Sequence, residues 1–110
     1  MIKLIQLLKR KGGLTQEEFS QYWEEIHGPL AAKMIPKLRK YVHNYPIRLS
    51  KGGEPPIDGV AELWFNDLES WRESVNWYRS DEGKVIREDE DKFIDKSKLV
   101  VFVAEEKVVK

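Results

Sequence analysis

With 110 residues, 41% of them hydrophobic, the chain has material for one domain over residues 1–110 with a modest core. Its 19 basic and 19 acidic residues cancel, and the bias along the chain (10 basic against 4 acidic through Lys51, 9 against 15 beyond it) is too diffuse for a nucleic-acid platform. The absence of cysteine excludes disulfides, thiol nucleophiles and zinc–thiolate sites, and no apolar run is long enough for a membrane span or leader, so a soluble cytoplasmic protein is expected.

Ile2 to Lys9 reads as the first strand, with Ile2, Leu4 and Leu8 on one face and Ile5 and Leu7 on the other; apolar residues on both faces imply burial on both. Lys11, Gly12 and Gly13 make the turn. Thr15 with Glu18 three residues on is a capping box that starts a helix. In FSQYWEEIHGPL, residues Phe19, Tyr22, Trp23 and Ile26 share one helical face, which must be buried. Gly28 and Pro29 predict the end of that helix, placing His27 in its last turn. Leu30, Met34 and Ile35 can form a further turn or two before Pro36.

Leu38 to Leu49 is expected to be the second strand, with Tyr41, His43, Tyr45 and Ile47 on one face. The segment SKGGEPP, residues 50–56, reads as an exposed loop. Ile57 to Phe65 is the third strand, alternating Val60, Glu62 and Trp64 against Ala61, Leu63 and Phe65, with Asp58 a turn residue at its start. Asn66 or Asp67 caps a second helix whose buried stripe is Leu68, Trp71, Val75 and Tyr78. After a break at Ser80 to Gly83, Val85, Ile86, Phe93 and Ile94 suggest a short helix on which Glu88 to Asp91 form a solvated acidic side. Leu99 to Val103 is the last strand. The order β-α-β-β-α-β, with one extra helical segment, specifies an α+β ferredoxin-like fold with a four-stranded antiparallel sheet under helices on one face. The strands are apolar on both sides, so a homodimer closing two sheets into an α+β barrel is expected to cover the other.

His27 and His43 are the two side chains whose ordinary proton affinity lies near neutrality, which makes them the candidate catalytic acid–base groups, His27 first. The plainer role for His27 is to cap helix carbonyls, and for His43 to sit partly buried among tyrosines. Tyr22 and Tyr41 can donate phenolic hydrogen bonds to a substrate carbonyl or enolate. Trp23 and Trp64 are expected chiefly in the core, with cavity lining as a second role. Glu62, flanked by apolar neighbours, could orient a histidine or meet a cation. No His-x-x-x-His pair, Gly-rich phosphate loop or Gly-x-Ser-x-Gly elbow is present, so no metal, nucleotide cofactor or covalent nucleophile is expected.

The run F-x-x-YW-x-x-x-H-G-P-L after the MIKLI strand, followed by DGVAELWF, SDEG, DEDKFID and VFVAEE, resembles the EthD-like family of small dimeric α+β barrel proteins. The resemblance singles out His27, the histidine before Gly-Pro-Leu. It also implies a histidine after the asparagine of the second strand, where this chain has Tyr45, with His43 two residues earlier on the same face. Ala104 stands where relatives often have threonine. Related barrels carry out decarboxylation, dehydration, isomerisation, cyclisation or cofactor-independent oxygenation on small aromatic or lactone-like compounds. The expected function is therefore a cofactor-independent lyase or isomerase using His27, against a non-catalytic small-molecule binding or accessory protein of a degradation pathway, or a cofactor-independent monooxygenase.

Overall fold

The computed structural model describes residues 1–49 and 52–110. Along the chain run β1 (Ile2–Leu8), α1 (Gln16–Tyr22), a π turn (Trp23–His27), α2 (Gly28–Met34), β2 (Lys40–Asn44), β3 (Gly59–Phe65), α3 (Leu68–Arg79), α4 (Lys84–Glu90) and β4 (Val100–Glu105). The strands form one antiparallel sheet in the order β2-β3-β1-β4, the ferredoxin-like arrangement expected from the sequence. Of the expected loop at 50–56, Ser50 and Lys51 lie outside the described residues.

The capping box starts α1 as expected. Thr15 Oγ1 accepts the Glu18 N–H at 3.1 Å, and Glu18 Oε1 accepts the Thr15 N–H at 2.9 Å. The helix does not stop at Gly28 and Pro29. It continues through a π turn, in which the Gly28 N–H reaches back five residues to the Trp23 carbonyl, and runs on to Met34. Pro29 falls in the first turn of α2, where its missing N–H costs little, and the wide turn gives its ring room. Gly28 is right-handed, at φ −56° and ψ −55°, so left-handed freedom is not what it supplies. It supplies space: a Cβ there would lie 2.8 Å from His43 Cε1 and 2.9 Å from the Trp23 carbonyl oxygen.

The extra residue in the π turn shifts the helix phase. Ile26, expected in the buried face, is 51% exposed, while His27 is 5% exposed in the inward position. Phe19 and Trp23 keep their places and pack with Leu8, Ala61, Leu63, Phe65 and Phe93. Each such buried apolar side chain contributes roughly 1.5–3 kcal/mol.

β2 is shorter than expected and ends at Asn44, because Pro46 has no N–H for the ladder and restricts the residue before it. Asp67 caps α3 by accepting the Ser70 N–H at 2.7 Å. The inward stripe of α3 is Trp71, Ser74, Val75 and Tyr78. Leu68 is exposed, since helix side chains lean toward the N-terminus and nothing helical precedes it. Asp58 is more than a turn residue. It is buried and accepts both the Arg10 N–H and its guanidinium at 2.7 Å, latching the β3 approach to the end of β1.

The register puts Leu4, Gln6 and Leu8 of β1 on the helix side with Ala61, Leu63 and Phe65 of β3 and with Tyr41 and His43 of β2. The opposite side carries Ile5, Leu7, Val42, Val60, Glu62, Trp64, Val100 and Phe102, and among the described residues no helix covers it; Phe102 is 46% exposed.

Candidate active site

Between the helix side of the sheet and α3 lies a cavity of about 300 Å³, at the small end of the range for ligand pockets. Leu4, Leu63 and Phe65 form its floor, with Trp71, Val75 and Trp77 along the α3 wall. His27 from the π turn and Tyr41 from β2 both reach it.

His27 is held by a residue read from sequence as solvated. Asp89 Oδ2 accepts from His27 Nδ1 at 2.8 Å, and its Oδ1 accepts the Tyr22 hydroxyl. Asp89 and Glu90 are only 6% and 7% exposed, whereas Glu88 and Asp91 face water. The reason is helical spacing: Ile86, Asp89, Glu90 and Phe93 stand at i, i+3, i+4 and i+7, so the middle of the acidic run turns inward. That spacing was visible in the chain and is the signal that marks Asp89 and Glu90. Two phenols meet the buried carboxylates, Tyr22 on Asp89 and Tyr78 on Glu90 at 2.5 Å, and Lys96 Nζ lies 3.3 Å from Glu90. Burial first, then the Asp89 carboxylate, pushes the Tyr22 phenol up to about 12, so it stays a donor.

A carboxylate can only accept, so His27 keeps a proton on Nδ1, and in the neutral ring the lone pair is on Nε2. Among the described residues Nε2 has no hydrogen-bond partner, and its ring lines the cavity. The Phe93 ring packs 4.9 Å from the imidazole and holds it against the core. An oriented imidazole with a free Nε2 facing an apolar cavity can take a proton from a bound molecule and return it elsewhere.

The other sequence candidates fall into three places. Tyr41 lines the cavity, and burial raises its phenol above the ordinary range, which keeps it a hydrogen-bond donor. His43 and Trp23 stack on each other, with ring centroids 3.7 Å apart, and the Tyr45 hydroxyl lies 2.8 Å from His43 Nδ1. Burial, then repulsion from His27 when that ring is protonated, lowers His43 to about 4, so it is neutral at pH 7 and unsuited to serve as a general acid there. Trp23 is core, lying under Gly59, where a Cβ would come within 2.4 Å of its ring.

Glu62 and Trp64 are on the far face of the sheet and do not meet His27. The Lys3 ammonium at 2.8 Å, with Asn44 at 3.1 Å, holds the Glu62 carboxyl below its usual range. Lys3 and Lys40 sit over the Trp64 ring at 5.0 and 4.8 Å. Strand alternation grouped these residues correctly, but only the helix positions decide which group the cavity receives. Among the described residues, no group of three His, Cys, Asp or Glu side chains is placed to hold a metal ion.

The family model for the EthD domain matches residues 11–97. An ethyl tert-butyl ether d (ethd) family protein from Bacillus halodurans C-125 is 30% identical, over 97% of this chain and 99% of its own, with a TM-score of 0.75. A dimeric protein of unknown function and ferredoxin-like fold from Bacteroides fragilis NCTC 9343 is 16% identical, covering 94% of each chain at a TM-score of 0.64. Hydroxynitrile lyase from Passiflora edulis is 12% identical over 94% of this chain and 90% of its own, at 0.66. The last two share the fold alone with this chain. No curated protein matches it.

Proposed function

The chain belongs to the EthD family, and from that premise we propose that it is a cofactor-independent lyase or isomerase acting on a small carbonyl or phenolic compound. His27 is the proton-transfer group. Asp89 fixes its tautomer and stabilises the imidazolium formed when Nε2 takes a proton, and Tyr22 holds Asp89 in place. Tyr41 donates to the substrate oxygen on which negative charge develops. The observation that carries this reading is the buried His27–Asp89 pair whose free nitrogen meets an otherwise largely apolar cavity. A lyase on the same fold, the Passiflora enzyme, is compatible with it.

The test is turnover by His27→Ala on a substrate found by screening carbonyl compounds. General acid–base catalysis is worth about 10²–10⁴ in rate. A loss of that size, with an unchanged far-ultraviolet spectrum and melting temperature, is expected. Turnover within a few-fold of the parent would remove His27 from the mechanism and favour a binding protein.

The working unit is proposed to be a homodimer. Among the described residues no helix covers the sheet face bearing Ile5, Leu7, Val60, Val100 and Phe102, the last two are about half exposed, and a second copy of the same face fits it by symmetry. The Bacteroides neighbour is described as dimeric.

A further inference from the structure

Besides His27, the charged side chains that line the cavity are Glu90 and Arg79, and of these two Glu90 is paired. Lys96 lies 3.3 Å from Glu90 and 3.1 Å from Asp91. Arg87 donates to the Tyr78 carbonyl and, at 2.8 Å, to that of Ser80. Arg79, the last residue of α3, lines the cavity and among the described residues makes neither a hydrogen bond nor an ion pair. The usual employment of a basic residue in a helix's last turn is to serve its terminal carbonyls. Arg87 already does that here, which leaves the Arg79 guanidinium to the cavity.

A second donor of the lining is also unmet. Trp71 Nε1 is buried without a partner among the described residues, eight residues earlier on α3 and so about 12 Å along the helix axis. The carboxylate in the wall, Glu90, is occupied by Tyr78 and Lys96. Unmet donors in a cavity with an engaged acid ask for a ligand that brings acceptors.

From this arrangement we propose that the cavity selects small apolar molecules bearing a carboxylate, and that Arg79 is the residue that reads it. The planar fork of a guanidinium matches a carboxylate with two parallel hydrogen bonds, and at a cavity mouth it does so with the ligand's apolar body lying inward. The carboxylate then sits at the rim and the reacting carbon lies toward His27. This inference rests on the His27 cavity as the ligand site, and adds the class of ligand.

The experiment compares 2-naphthoate with its neutral isostere 2-naphthamide, together with a panel of ten aromatic and alicyclic carboxylates and their amides, by ligand-observed NMR titration. The parent is expected to bind the acids at least tenfold more tightly than the amides. Arg79→Gln should bring the two within about twofold, Arg79→Lys should keep part of the preference, and Arg72→Gln, on the exposed side of α3, should keep all of it. Equal binding of acid and amide by the parent, a preference that survives Arg79→Gln, or failure of every acid in the panel to bind would each overturn the proposal. His27→Gln in the same titration separates it from the proton-transfer reading. A preference retained there, beside turnover indifferent to His27, would sink the mechanism and leave Arg79 standing.

Discussion

Asp89 shows how far a single residue can stand from its reading in the sequence. Four consecutive acids look like a wet helix face, and two of them are; the other two are buried because Ile86 and Phe93 anchor the same stripe. Asp89→Asn keeps an acceptor oxygen near His27 Nδ1 but removes the charge that stabilises the imidazolium. A fall in kcat of at least tenfold, with KM little changed, is expected from steady-state kinetics. Asp89→Ala also strips the buried His27 and Tyr22 of their partner, a cost of about 3 kcal/mol that urea denaturation would register. His43 makes the opposite case, a histidine in a plausible place whose environment holds it neutral. Above pH ~6.5 the folded and unfolded chains both carry it uncharged, and its contribution to stability is complete. As pH falls toward 4 the unfolded histidine gains a proton that the folded one refuses, so stability drops. The loss is about 2 kcal/mol once solvent screening of the partly buried ring is allowed for. His43→Phe keeps the stack on Trp23 and lacks the titration. The difference in urea midpoint between variant and parent should therefore widen in the variant's favour between pH 7 and 4.5.

Elements were more legible than their ends. The capping box, the strand alternation and the aromatic face of the first helix are each written in local spacing, and each stands in the structure. The π turn is not, since no residue pattern separates a helix that stops at Gly-Pro from one that widens to pass through it. What decides is tertiary: α2 must lie against β2 closely enough for Gly28 to touch the His43 ring. Gly28→Ala improves local helix propensity, yet its Cβ would press on a ring and on a backbone carbonyl. A net destabilisation of about 1–3 kcal/mol is expected, measured by thermal or urea unfolding. A neutral or stabilised variant would show that the contact yields easily. The same turn sends Ile26 outward and His27 inward, so the candidate site depends on one residue's worth of helical phase.

At the scale of the molecule, the strand order and the two-sided apolar sheet could be inferred from the sequence. Which side held the cavity could not, because alternation sorts residues into two groups without saying where the helices lie. That is why alternation alone leaves Glu62 a choice between a histidine and a cation; it meets Lys3, and Trp64 shares that far face. The uncovered side makes a direct prediction: Phe102→Asp, on the edge strand of that face, should convert a dimer to a monomer in light scattering and lower the melting temperature. A monomeric parent would leave the exposed valines and Phe102 without a role. The cavity has a consequence of a different kind. Two of the chain's four tryptophans, Trp71 and Trp77, stand in its wall, and indole emission follows the polarity and stiffness of its surroundings. The empty and filled protein should therefore differ in colour and brightness under ultraviolet light. A compound collection can be sorted by that signal alone, before any reaction is known.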